Sequence, residues 1–93
     1  MSEFAAVTAG LVGQDVVLDT SGQYLYIGRL ARMDEFFIEL EDADVHDSTE
    51  SPNPKEIYVI DSKKYGIKKN RKSVFVRASM VVSISRLVDV IEY

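Results

Sequence analysis

The chain has 93 residues, no cysteine and a net charge of −4. That length builds one compact domain rather than two, and it buries only about 60–65% of its unfolded surface, so association with further copies would help it. The absence of cysteine excludes a disulfide framework and a thiolate metal site, and the acidic balance argues against nucleic-acid binding through bulk charge. Met1-Ser2-Glu3 opens without a basic cluster and no apolar run approaches ~18 residues, so neither a signal peptide nor a membrane span is expected, and the cytoplasm is the expected location.

The mean charge hides a segregation. Positions 34–50 hold eight acids and no Lys or Arg, whereas positions 63–77 hold seven of the 11 basic residues and no acid. The basic stretch reads either as a solvated loop or as a local anion-binding surface.

In chain order, "SEFAAVTAG" predicts a short helix, with Ser2 as N-cap, Phe4, Val7 and Leu11 on one face, and Gly10 at the C-terminal end. Val16 and Leu18 then alternate with Val17 and Asp19, "TSGQ" is a tight turn, and positions 24–33 form a long β-rich run. Together they predict a hairpin. Gly28 inside its second strand marks a bend or bulge. Phe36, Ile38 and Leu40 alternate with Phe37, Glu39 and Glu41, which predicts a third strand to about Ala43.

A polar loop with two prolines follows. A helix is expected over 54–65, because Asn53 suits an N-cap, Pro54 the first helical position, Glu56 a capping box and Gly66 the exit. Ile57 and Ile60 would then face inward. The β-rich Ile57-Tyr58-Val59-Ile60 keeps a strand open as the alternative. Two short strands are expected at 72–77 and 81–85, joined by a sharp three-residue connection, before a β-like tail. The expected architecture is mainly β: an N-terminal helix plus a five-stranded, strongly bent antiparallel sheet closing into a small, partly open barrel. It is read as one domain, 1–93, with a core of 10–44 and 72–93 and a helical insertion, 45–71, between strands 3 and 4.

This order of elements resembles the Sm/LSm family. Gly28-x-Leu30-x-x-Met33-Asp34, preceded by the turn glycine Gly22, is similar to the first Sm motif. Val76-Arg77 followed by Val81-Val82-x-Ile84 is similar to the second. "DEFFIEL" resembles the bacterial host-factor (Hfq) branch, since Ile38 stands where eukaryotic and archaeal members usually place an asparagine. The second motif departs from both branches: it lacks Tyr-Lys-His, and Ala78, Ser79 and Met80 replace the glycine and the nearby amide.

The resemblance implies a cyclic homo-oligomer of about five to seven subunits, in which the fourth strand of one copy pairs with the fifth of the next. Val74, Val76, Val82 and Ile84 are its expected interface residues. It also implies single-stranded RNA at the central face. Phe36 stands at the base-stacking position, Arg77 matches the family arginine, and Asp34 orients the site. Lys68, Lys69, Arg71 and Lys72 are expected to add phosphate contacts. Each residue has a plainer reading as well: Asp34 as a turn stabiliser, Phe36 as core filling, and Arg77 as a surface or inter-subunit ion pair. Without a base-edge amide, weak selectivity is expected.

Other chemistries find less support. Glu39, Glu41, Asp42, Asp44, His46 and Asp47 form an acidic edge whose lone histidine has no partner at ligand spacing, so no metal or cofactor is expected. No nucleophile elbow or phosphate loop is present, so no catalytic residue is assigned and no enzyme is expected. The competing function is a ring scaffold that binds proteins and no nucleic acid.

Overall fold

The computed structural model describes residue 6 and residues 8–92. Ser2, Phe4 and Val7, expected to cap and face the first helix, lie outside the described residues. Ala6 and Thr8 are helical, and a 3-10 turn follows at Ala9–Leu11. Gly10 sits within that turn rather than ending a helix. The left-handed glycine is Gly13, at φ +89°.

Five strands follow: β1 (Asp15–Thr20), β2 (Tyr24–Met33), β3 (Phe37–Asp47), β4 (Arg71–Arg77) and β5 (Val81–Arg86). They form one antiparallel sheet in the order β4-β3-β2-β1-β5. β3 runs on to Asp47, beyond the end expected near Ala43. Two opposed irregularities bend it against β2. Ile27 pairs with Asp44 and Arg29 with Glu41, which leaves Gly28 opposite both Asp42 and Ala43. Leu30 pairs with Leu40 and Arg32 with Glu39, so Ala31 is the extra residue on the other side. Asp42 takes φ +48°, and its carboxylate accepts from Arg29 at 3.0 Å. That contact holds the Arg29 guanidinium above its ordinary pKa.

The bend produces two apolar layers. Val16, Leu18, Leu30, Ile38, Leu40, Ala43 and Val76 fill the inside. Val17, Leu25, Ile27 and Leu87 form a second cluster on the outer face of the sheet. β1 therefore buries three residues in succession, Val16, Val17 and Leu18, where simple alternation predicted only two. This outer cluster, Val17 included, is covered by Tyr58 and Val59 of the helix and by Val90 of the tail.

That helix, α1 (Lys55–Tyr65), lies between β3 and β4. Glu56 stands in its first turn and Lys63 and Lys64 in its last, signs that suit the helix dipole. Gly66 closes it at φ +98°, its N–H donating to Ser62 at 3.0 Å. The extended cap is Pro54 rather than Asn53, and no side chain caps it. The inward face is Tyr58, Val59 and Ser62. Ile57, expected to point in, is exposed, and Ile60 is half-buried.

Tyr58 anchors this layer. Its hydroxyl donates to the buried carboxylate of Asp44, which also accepts from Asn70 Nδ2 at 3.1 Å. Burial and then Asp44 push the Tyr58 phenol well above its ordinary pKa. His46 stacks on the same ring, with centroids 3.6 Å apart. The Asn70 amide accepts from Val45 N–H at 2.9 Å and donates to Val45 C=O at 3.1 Å, ending the β3–β4 ladder as a strand residue would. Beyond β5, a 3-10 turn at Leu87–Asp89 stands where a β-like tail was expected. Among the described residues, no helix is long and apolar enough to cross a membrane.

Candidate nucleic-acid interface

Asp34 builds the β2–β3 turn. Its Oδ1 accepts from the N–H groups of Phe36 at 2.7 Å and Phe37 at 2.8 Å, and its own N–H donates to the Phe37 carbonyl at 3.0 Å. These bonds, Phe37 first, hold its carboxyl below the ordinary value. A carboxylate pair interrupts an apolar run here because the acid folds the chain back on itself.

Phe36 rides on that turn, 65% exposed, and does not fill the core. Its carbonyl accepts from Ala78 N–H at 2.8 Å, which ties the β2–β3 turn to the β4–β5 connection. Phe36 and Arg77 consequently line one hollow of about 200 Å³, together with Glu35, Phe37 and Ser79. Arg77 is exposed and pairs with no carboxylate among the described residues. An aromatic face and a free guanidinium on one hollow can stack a planar ring and neutralise an anion. Ile38 is buried inside the sheet and offers no hydrogen bond to a ring edge, and Met80, exposed at the end of the Ala78–Met80 turn, carries only a thioether.

The other expected contacts lie elsewhere. Arg71 pairs with Ala43 and Arg77 with Phe37, at opposite ends of β4, a separation of about 20 Å at ~3.3 Å per residue. Lys68, Lys69, Arg71 and Lys72 stand at the end away from Phe36, all exposed, with the Lys68 ammonium 5.9 Å from the Tyr58 ring centroid. Their linear proximity to Arg77 is undone by the extended strand between them.

The expected interface residues also separate. Val76 is part of the inner core, and Val74 and Ile84 pack against it. Val82 is exposed, and so is Phe75, which periodicity in the second motif did not single out. Ala78 and Phe36 share the register of Val76 and Ile38, so Val76 and Val74 bond to β3. Ser73, Phe75 and Arg77 then direct their backbone groups to the free edge. The acids of the Glu39–Asp47 region each have their own partners: Glu39 with Arg32 and Ser73, Asp42 with Arg29, Asp47 with Thr49 and Gln23.

No family model matches this sequence, and no curated protein matches it. Among solved structures, the chain is similar to the Sm protein of Pyrococcus abyssii, determined in complex with a uridine heptamer. The two are 18% identical at a TM-score of 0.62, over 92% of this chain and 99% of that one. The described structure has an Sm-like fold: mainly β, a five-stranded, bent antiparallel sheet with its own helix.

Proposed function

We propose that the chain assembles head-to-tail into a cyclic homo-oligomer of about five to seven subunits and binds single-stranded RNA, with weak base selectivity, where Phe36 and Arg77 meet. The observation that carries this is the exposure of Phe36. Asp34 holds a large apolar ring out of the core and beside an unpaired guanidinium, an arrangement that leaves most of the ring to solvent and suits a stacked base. The likeness to a protein solved with a uridine heptamer supports the reading. Selectivity is weak because Ile38 offers no base-edge hydrogen bond. The reading takes the Asp34–Leu40 stretch as resembling the host-factor branch and puts the ring in the cytoplasm, binding rather than catalysing.

A ring scaffold without RNA is the second reading. It draws on the net charge of −4 and on Glu35 in the wall of the hollow. Titrating fluorescent oligo-U and oligo-A at ~50 and ~200 mM salt separates the two, since phosphate contacts release counterions. Salt-dependent binding of both oligomers supports RNA. An assembled ring that shifts neither leaves the scaffold.

A further inference from the structure

The two ends of the sheet differ in charge. Beside the free edge of β5 lies a groove of about 450 Å³ between α1 and the C-terminal tail, with Val59, Ile60, Val90 and Ile91 among its walls. Its charged lining is Asp19, Glu56 and Asp89 against the single Lys55. The cations around it are engaged already: Lys55 by Asp19 at 2.8 Å, Arg86 by Asp89 at 2.7 Å, and Lys63 by the Val90 carbonyl. Glu56 is exposed and ion-pairs with no cation among the described residues.

At the other end, beside the free edge of β4, stand Lys68, Lys69, Arg71 and Lys72. All four are exposed, and none forms an ion pair among the described residues. We infer that the α1–tail groove receives the 68–72 segment of a second copy of this chain, so that the basic run serves subunit pairing rather than RNA. This rests on the head-to-tail assembly proposed above. Antiparallel pairing of β4 with the β5 of a neighbour puts the start of β4 beside the end of β5. The chain preceding β4, with its lysines, then runs onto the groove beside Glu56, the one acid of its lining without an ion pair among the described residues, and the lysine stems cover Ile60 and Ile91. Charge complementarity of this kind sets register and partner choice more than raw affinity. It also explains why a run of cations finds no acid within its own subunit.

The test is the assembly state of the full chain by light scattering at ~50 and ~500 mM salt, with circular dichroism to verify folding. Lys68→Glu with Lys69→Glu should raise the concentration for half-assembly by about tenfold at the lower salt, with a smaller effect at the higher. Glu56→Lys in the same chain should recover part of the loss, because every subunit supplies both sides of the contact. Unchanged assembly in the lysine variant overturns the inference, and so does a loss that Glu56→Lys does not relieve. A fully assembled variant that has lost only oligo-U binding overturns it too, and returns the run to phosphate. A monomeric wild-type chain at both salts removes the ring reading itself, and this inference falls with it.

Discussion

Gly28 lies directly on Ala43: a β-carbon on the glycine would stand 2.8 Å from the Ala43 Cβ and 3.0 Å from its Cα. The neighbour is a short side chain on a bulged backbone, so it cannot swing aside. Gly28→Ala should therefore destabilise the fold by about 1–3 kcal/mol through overpacking. Gly28→Ala with Ala43→Gly should recover part of the loss. Urea denaturation at fixed protein concentration measures both, and an unchanged midpoint in Gly28→Ala would mean that the bend relaxes freely.

Asp34 gives a pH signature. Its carboxyl is held below the ordinary value of 3.8 by the Phe37 and Phe36 amides, so the folded state binds its proton more weakly than the unfolded state does. The stabilisation is fully present above 3.8 and is lost as pH falls through the lower folded value. Asp34→Asn should flatten this acid limb while leaving the slope above pH 5 alone. The comparison is between the urea midpoints of the two proteins from pH 2 to pH 6, and parallel curves would refute it.

Tyr58→Phe removes a donor from the buried Asp44 carboxylate and leaves Asn70 alone to satisfy it. The expected loss is about 1–3 kcal/mol, the range for a buried acceptor deprived of a partner. In the wild type the raised phenol keeps its stabilising hydrogen bond below the ordinary value of 10.0, and loses it only as pH rises through the higher folded value. An alkaline absorbance titration should show an ionisation well above pH 10.0 that Tyr58→Phe deletes.

Local signals were legible in the sequence, and covering surfaces were not. The Asp34 turn, the glycine bend and the β1–β2 hairpin follow from residues within a few positions of one another, whereas the pairing of β1 with β5 joins Val16 to Arg86. Val17 looked like the outward half of an alternating strand. It is buried only because α1 and the tail return over it from more than 35 positions away, and no period-2 rule contains that return. The helix signals of Glu56 and Gly66 were readable, yet which face turns inward depends on where α1 lands, so Ile57 was placed wrongly and Tyr58 was missed. The pairing of Phe36 with Arg77 was implied by the resemblance to the family motifs and by no local rule. The distance from Arg77 to the basic run was not legible, because linear proximity says nothing about an intervening extended strand.

The edge of β4 can be tested by parity. Val76 bonds to β3 and packs in the core, whereas Phe75 turns its backbone to the free edge and its ring outward. Val76→Pro should unfold the subunit, because it deletes a ladder donor and core packing together. Phe75→Lys should keep the circular dichroism spectrum and the monomer's denaturation midpoint while lowering the assembled fraction, since a charge on an edge strand opposes strand addition. A Phe75→Lys chain as fully assembled as the wild type would move the subunit contact away from β4.

The proposed RNA binding would divide between Phe36 and Arg77 in a way two variants can separate. Phe36 acts through its face, so Phe36→Ala should weaken oligo-U and oligo-A alike, by about 1–3 kcal/mol per stacked base, with no change in salt slope. Arg77 has no carboxylate partner among the described residues and is free to meet a phosphate. Arg77→Ala should therefore reduce the slope of log affinity against log salt by roughly one for each subunit engaged. Because linked sites on one strand reinforce one another, both effects should grow with oligomer length until the strand spans the available subunits. The double variant should bind no more tightly than the weaker single, since both side chains hold one nucleotide in one hollow. Equal losses for oligo-U and oligo-A distinguish stacking from edge recognition. A Phe36→Ala loss confined to oligo-U would instead assign base selectivity to the hollow, where Glu35 and Ser79 are the remaining polar side chains beside Arg77.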